Sequence, residues 1–544
     1  MRKDQEIVAD SVYLNGTIYT VDPKNPKATA MAIKDRTFLC VGTDPDAGKH
    51  VGHRTSVFDL QGKTVLPGLI DAHLHYSAIG ETKMMLDAFC KPKQEILDAV
   101  AAACKKARKG EWIQGRGWNQ EVWIPAVFPT KEDLDKVAPD IPVCLIRTDS
   151  HAAWVNSKAV EIAGITNETS NPEGGEIVRD AKGEATGILI DTARRLVSKY
   201  IPSLSKEQRL DALLLAQEEL VSNGLTGGHD AGCDLAMIEM LKSLYEAGKH
   251  YVRLYERLRI PEESTSRHDE FYAEGRQIGL YQNCLTVRGI KIAVDGALGS
   301  RGALMLEPYS DRRDGHLGNQ RVSEEKLYDQ VKRARQAGFQ VSIHAIGDAA
   351  NRRVLDAFER VLKEMPDPDH RYRIEHAQVV ALEDIPRFAA LGVIPSMQAV
   401  HAISDKNMAE KRVGPERIKG TYAWRKFLNT GVVIANGTDA PVERVNPFHG
   451  LSAAVTRLDR NGQPPRGWYP EEKMTRQEAL KSYTIWSAYA AFEENLKGSI
   501  EAGKLADFIV IDRDYMTCSE SEIKDIRVLE TVIGGKTVYP GRQI

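Results

Sequence analysis

The sequence predicts an α/β chain: a (β/α)8 TIM-type barrel, a small β-sandwich built jointly by the two ends, and an insertion after the first barrel strand. Three observations lead there. Short apolar runs alternate with amphipathic segments through the middle of the chain, the pattern of repeated strand-helix units. Both ends carry period-two strands with tight turns, so 1–66 and 495–544 are expected to pair into one composite sandwich. Between them nine strand-like runs occur where a barrel holds eight. CLIRTD is the surplus run, because it lies in a stretch, 79–205, too long for a simple connection. The barrel is therefore placed at 67–494, with 79–205 inserted as a subdomain that caps its mouth.

In chain order, SVYLNGTIYTVD carries a hairpin signal at Asn15-Gly16, and ATAMAIKDRTFLCVG turns at Lys34 to Arg36. The first barrel strand is VLPGLIDAHLHY. It is followed by LTGGHDAG, YVRLYERL, GIKIAVDG, FQVSIHAIG, YRIEHAQ, GVIPSMQ and VVIANGTDA. A helix after Ser205 has Gln208 completing a capping box, an apolar stripe of Leu210, Leu213, Leu214, Leu220 and Val221, and a stop at Gly224. A second helix runs from Ser323 through Leu327, Val331 and Ala334 to Gly338. GKLADFIVIDRD and VLETVIGGKTVY, with a turn at Gly534-Gly535, complete the sandwich.

The charge is nearly balanced, with Lys plus Arg 73 against Asp plus Glu 76, which argues against nucleic acid as a partner. Seven scattered cysteines without a CxxC fit a reducing compartment, and no apolar window is long enough for a membrane span. The expectation is a soluble, cytoplasmic protein acting on a small molecule.

Polar residues fall at or near the ends of the apolar runs, where they cost free energy unless paired or bound to metal. On one strand, His73 and His75 leave the same face. Lys291 follows on the fourth strand, His344 on the fifth, His376 on the sixth and Asp439 on the eighth. Barrel enzymes place their chemistry at such ends, and four histidines with a carboxylate suggest a divalent metal. Zn is the first choice, with Mn, Fe or Ni as alternatives, at one or two ions per chain.

PGLIDAHLH, GWNQEVW, RTDSHAAWVNSKA, GIKIAVDGALGSRGALMLEPYSD, HAIGDAANRRVLDAFE, RIEHAQ and GTDAPVERVNPFHG occur in an order that resembles the amidohydrolase superfamily. The resemblance is to its family 3 branch, which includes N-substituted formamide deformylases and YtcJ-like proteins. It implies that His73, His75, His344, His376 and Asp439 hold metal, and that Lys291, carboxylated by CO₂, bridges two ions. It also implies that Asp439 shuttles protons and that the chain is a homodimer. Asp149 and His151 resemble a substrate-facing stretch, as do Trp118 and Asn119. Asp295, Arg301 and His316 follow the fourth strand and are candidates to reach the pocket, whose walls Trp118, Trp123 and Trp154 would supply.

The expected activity is hydrolysis of a carbon-nitrogen bond, of amide or N-substituted formamide type, by metal-activated water. A deaminase of the same superfamily is the first rival. It is disfavoured because His344 is followed by Ala-Ile-Gly rather than the HxxE stretch of cytosine and guanine deaminases. A non-catalytic barrel is the second, disfavoured because no ligand is missing. An ordinary lysine at Lys291 would pair with Asp295. His53, His250, His268 and His370 lie in polar, turn-like surroundings and are expected at the surface.

Overall fold

The computed structural model describes residues 7–108, 110–259 and 266–540. Eight parallel strands form a nearly closed barrel: β1 Leu69–Leu74, β2 Leu225–Asp230, β3 Arg253–Arg259, β4 Leu285–Ala293, β5 Gln340–Ala345, β6 Arg373–His376, β7 Ile394–Met397 and β8 Ala435–Asn436. Each hydrogen-bonds to the next in that order. The seam between β8 and β1 closes just beyond β8, where Asp439 N donates to His73 O (2.7 Å) and His75 N to Ala440 O (2.8 Å). These are the bonds that bring Asp439 over the first-strand histidines.

The helices are begun and ended by the residues the sequence offers. Ser205 Oγ accepts from Gln208 N while Gln208 Oε1 accepts from Ser205 N (2.9 Å), starting helix Lys206–Ser222, and Gly224 at φ +79° follows its end. That helix buries Leu213, Leu220 and Val221, whereas Leu210 and Leu214 are only half-buried. Ser323 caps helix Glu324–Gln336, which buries Leu327, Val331 and Ala334. Helix Tyr76–Lys83, directly after β1, packs against Lys206–Ser222 so closely that a Cβ on Gly80 would lie 1.7 Å from Ala212 O.

At the ends of the chain two sheets face each other. One contains Thr37–Gly42, Ala30–Lys34, Ser11–Leu14 and Ser56–Asp59; the other joins Lys536–Tyr539, Val528–Ile533 and Phe508–Ile511 to Thr64–Pro67, Thr17–Tyr19 and Lys27–Ala28. Tyr13, Met31, Phe38, Val65, Phe508 and Val532 share the core between them. Asp35 and Arg36, both at positive φ, make a true hairpin turn, and so do Gly534 and Gly535. Asn15-Gly16 does not. The strands it joins belong to different sheets, so it is a corner where the chain crosses the sandwich. A Cβ on Gly16 would meet Leu60 Cδ1 at 2.4 Å, which is why glycine stands there.

The insertion forms a separate mixed sheet ordered Gly175–Arg179, Ala185–Asp191, Ala152–Val155, Val143–Arg147, Ile113–Trp118, Leu86–Asp87. CLIRTD supplies Val143–Arg147, outside the barrel. Trp118 and Trp154 are fully buried in this sheet's own core, and Trp123 packs on both. Their indole nitrogens bond Leu145 O, Thr130 O and, for Trp123, Lys91 O. The tryptophans are spent on holding the insertion together rather than on lining a pocket.

Two histidines expected at the surface are buried. His250 touches Tyr76 Oη (2.6 Å) and Tyr245, and His370 bonds Leu391 O and Tyr372 N (both 2.8 Å). A polar local sequence does not forbid burial once ring nitrogens find partners. Among the described residues no helix is long and apolar enough to cross a membrane, and all seven cysteines are free thiols.

Candidate metal centre

The centre begins with the closure of β8 onto β1. Asp439, at φ +56° just past β8, is buried, and its Oδ1 lies 3.2 Å from His75 Nε2 and 3.5 Å from His73 Nε2. Its Oδ2 lies 3.7 Å from His401 Nε2 and 4.0 Å from His376 Nδ1. Ligand-type atoms of His73, His376 and Asp439 all fall within 4.8 Å of one another. The His344 ring sits 4.6 Å from that of His376. Gly437 permits this closeness: a Cβ there would meet His73 N at 2.5 Å and Asp71 Oδ1 at 2.6 Å.

Each ligand is aimed from behind. His73 Nδ1 donates to Glu375, which leaves its Nε2 lone pair toward Asp439 Oδ1, and His376 Nδ1 donates to Gln398 Oε1 (2.7 Å), which fixes that ring. Asp71, two residues before His73, accepts from His73 N and Thr438 N (3.0 Å each) and from the Thr438 hydroxyl (2.5 Å), tying β1 to the loop that carries Asp439. Burial opposes the negative charge of Glu375, yet Arg257, Arg373 and His73 hold its carboxyl well below the usual range. Burial likewise opposes the charge on Asp439, and His73, His75 and His376 outweigh it.

The chemistry of the donors suits a divalent cation. His73 Nε2, His344 Nε2, His401 Nε2 and Asp439 Oδ1 are all buried without a hydrogen-bond partner among the described residues, an arrangement costly for polar atoms that have nothing to bind. Burial, the largest influence on each, joined by Lys291 for His73 and His344, keeps the imidazoles of His73, His344 and His376 neutral, the form in which they donate to metal.

Lys291, buried on β4, makes no ion pair with Asp295. Asp295 instead accepts from Leu304 N, Ile346 N and Gly347 N, while its Oδ1 lies 3.4 Å from His344 Nε2. Burial, opposed by Glu375 and reinforced by Arg257, pushes the Lys291 amine down to about 7. Much of it is therefore unprotonated near neutral pH.

The expected substrate-facing residues divide. His151 Nδ1 bonds Asp191 (2.6 Å), and His151 and Arg321 lie close enough to His344 to act on it electrostatically. Asp149 is taken by Arg147 and His151 N, and Asn119 Oδ1 by Glu121 N (3.1 Å) and Arg147 (3.2 Å), so both order the rim. Arg301 pairs with Asp311 (2.7 Å), and His316 Nε2 bonds Arg301 O (2.8 Å) while stacking on Tyr309. These two brace the loop after β4. Trp118 faces the insertion core.

Several residues at the centre carry no motif that singles them out. Glu375 is adjacent to His376, and strand alternation would send the two to opposite faces. Positive φ at His376 and Ala377 breaks the alternation, so both reach the interior. His401 comes from helix Ala399–Asp405, and His229, with Nδ1 3.0 Å from Arg373, fills the barrel beneath Glu375. The HD of LTGGHDAG, at the end of the second strand, is a sequence signal that could have drawn attention to His229, which the sequence reading passed over.

Comparison with known proteins bears on the family and the fold. The profile of the amidohydrolase family matches residues 56–539. The chain is 36% identical to Protein LONG AFTER FAR-RED 3 of Arabidopsis thaliana, over 98% of this chain and 92% of that one. It is 34% identical to the putative amidohydrolase YtcJ of Bacillus subtilis (97% and 99%) and 29% identical to the N-substituted formamide deformylase of Arthrobacter pascens (97% and 98%). An uncharacterized metal-dependent hydrolase from Pyrococcus furiosus superposes with a TM-score of 0.73 at 29% identity, covering 93% of this chain and all of that one.

Proposed function

Because the chain belongs to the amidohydrolase family, we propose that it is a metal-dependent hydrolase that cleaves a carbon-nitrogen bond of amide or N-substituted formamide type. The observation that carries this reading is Asp439, whose buried Oδ1 has no hydrogen-bond partner among the described residues and faces two histidines at 3.2 and 3.5 Å. His73, His75, His344, His376 and Asp439 would hold a divalent cation, most simply Zn, with Mn, Fe or Ni fitting the same nitrogen and oxygen donors. When bound, such an ion makes water acidic near neutral pH and polarises a carbonyl. Asp439, held ionised, is then the acceptor for the proton of the attacking water and its donor to the leaving nitrogen. Water is added across the C–N bond, giving an acid and an amine. Lys291, as a neutral amine, could add CO₂ through Nζ with loss of one proton, giving an anionic carbamate that would complement the charge of a divalent cation. ¹³C-bicarbonate NMR of the metal-loaded protein reads that carbamate.

The N-substituted formamide deformylase relative supports the substrate type, at 29% identity over nearly both full chains. Free thiols suit a reducing, cytoplasmic setting, and a homodimer, testable by sedimentation, completes the reading. Metal-replete enzyme should hydrolyse N-formyl or N-acyl amines. Asp439→Asn should lower kcat by about 10²–10⁴, with metal content measured alongside to separate lost chemistry from lost metal. Turnover confined to aromatic C–NH₂ groups would replace this reading with deamination.

A further inference from the structure

His401 has no task in the metal reading. It stands on helix Ala399–Asp405, directly after β7, and is buried. Its Nε2 lies 3.7 Å from Asp439 Oδ2, beyond hydrogen-bond reach, and has no partner among the described residues. A polar nitrogen buried beside a reacting carboxylate is costly unless something arrives to bind it.

The far side of the ring decides what can bind. Gln378 turns its amide nitrogen to His401 Nδ1 (3.2 Å). An amide NH₂ only donates, so Nδ1 accepts and the ring hydrogen sits on Nε2. His73 is the opposite case, because its Nδ1 donates to Glu375 and leaves a lone pair on Nε2. A nitrogen that carries hydrogen does not ligate a cation, but it can donate a hydrogen bond. The position of this donor is fixed in advance. His401 N donates to Gln398 O (3.2 Å), and the side chain of the same Gln398 accepts from His376 Nδ1 (2.7 Å). One buried residue thus sets both rings, which lie stacked with centroids 6.0 Å apart.

Three atoms of a hydrolysed C–N group could meet this donor. The attacking oxygen needs its lone pair free, and the leaving nitrogen takes the proton that Asp439 carries. Only the carbonyl oxygen gains negative charge that a fixed N–H stabilises. We infer that His401 is a catalytic hydrogen-bond donor to the carbonyl oxygen of the substrate, its tautomer set by Gln378. The inference rests on the hydrolase reading above. As the water oxygen bonds to the carbonyl carbon, the C=O π pair moves onto the oxygen that His401 holds. When the C–N bond breaks, that pair re-forms the carbonyl, and His401 keeps its hydrogen throughout.

The tautomer is read by ¹⁵N-histidine NMR of the metal-loaded wild type, with His401→Phe to assign the signal. Hydrogen on Nε2 and none on Nδ1 is expected; hydrogen on Nδ1, or a metal on Nε2, overturns the inference. With the N-formyl or N-acyl amine turned over fastest, His401→Phe should lower kcat by about 10²–10³ at unchanged metal content. His401→Gln, whose amide nitrogen can take the place of Nε2, should recover about tenfold or more of that loss. Unchanged kcat, metal lost in step with activity, or a glutamine no better than phenylalanine overturns it. Benzylphosphonate, whose tetrahedral anionic oxygens resemble the addition product, gives a readout without turnover. By calorimetry it should bind metal-loaded wild type about tenfold or more tightly than His401→Phe, while benzylamine binds both alike. Equal or absent phosphonate binding overturns the donor and leaves the hydrolase reading intact. If no amide is hydrolysed yet phosphonate affinity falls in His401→Phe, the hydrolase reading fails and the hydrogen-bond donor stands.

Discussion

Glu375 meets three partners inside the barrel: the His73 ring, Arg257 (2.6 Å) and Arg373 (2.8 Å), all with negligible exposure. It orients a candidate ligand and neutralises cations that would otherwise repel a metal. Glu375→Gln should therefore weaken metal binding about 10–100-fold and lower stability by about 3–5 kcal/mol, because charges are left buried without a counterion. Chelator competition and denaturation midpoints read the two effects, and unchanged metal affinity would show that His73 needs no such support. His250 offers a separate test through pH. Burial pushes its ring down to about 3, against about 6.5 in an unfolded chain. Above pH 6.5 this costs nothing. As pH falls below 6.5 the unfolded chain gains a proton that the folded ring refuses, so stability is lost progressively down to about pH 3. At pH 5 the loss is about 2 kcal/mol, and His250→Gln should shrink the stability difference between pH 7.5 and 5.0 by that amount. At this scale His73, His75, His344, His376 and Asp439 were legible in sequence, since a polar residue closing an apolar run is conspicuous. Glu375 and His401 were not. The first is revealed only by the unusual backbone at His376, and the second sits on a helix that tertiary packing alone brings beside Asp439.

At the level of elements, close approach governs what can be changed. Helix Tyr76–Lys83 follows the His73-His75 strand and lies against helix Lys206–Ser222 with only the missing side chain of Gly80 between them. Gly80→Ala must push the helices apart, at a cost of at least about 1–3 kcal/mol, despite alanine's better helix propensity. A variant as stable as wild type in thermal unfolding would mean that the contact relaxes freely. Strand counting worked here because buried parallel strands are continuous apolar runs, and the surplus run betrayed itself by the length of its surroundings. Turn chemistry gave the local bend at Asn15-Gly16 but not its destination, because a left-handed residue such as Asn15 can make a hairpin or let a chain step from one sheet to the next. The tryptophans of the insertion were expected as pocket walls, whereas Trp118 and Trp154 lie in the core, because the choice between core and pocket depends on which face of the sheet they occupy.

Across the whole molecule, the sandwich and barrel are joined by more than the polypeptide. Arg253, at the start of β3, is clamped by Asp507 through Nε (2.5 Å) and Nη2 (2.8 Å), and Asp507 also accepts from Gly534 N (2.8 Å). Asp507→Ala leaves a guanidinium buried and unpaired, so stability should fall by about 3–5 kcal/mol, read as a lower denaturation midpoint. An unchanged midpoint would show that the two parts are held by apolar contact alone. The pairing of the two chain ends was legible because each end offered strands with no partner nearby in sequence. Strand Thr64–Pro67 is bonded to Phe508–Ile511 and runs, with Gly68 alone between, into the strand that bears His73 and His75. During translation that run waits for its neighbour until Phe508–Ile511 has emerged from the ribosome. Such long-range closure is slow and exposes unpaired edges in the meantime. The nascent enzyme should therefore acquire its cation only after synthesis has passed Ile511, and depend on chaperones until then.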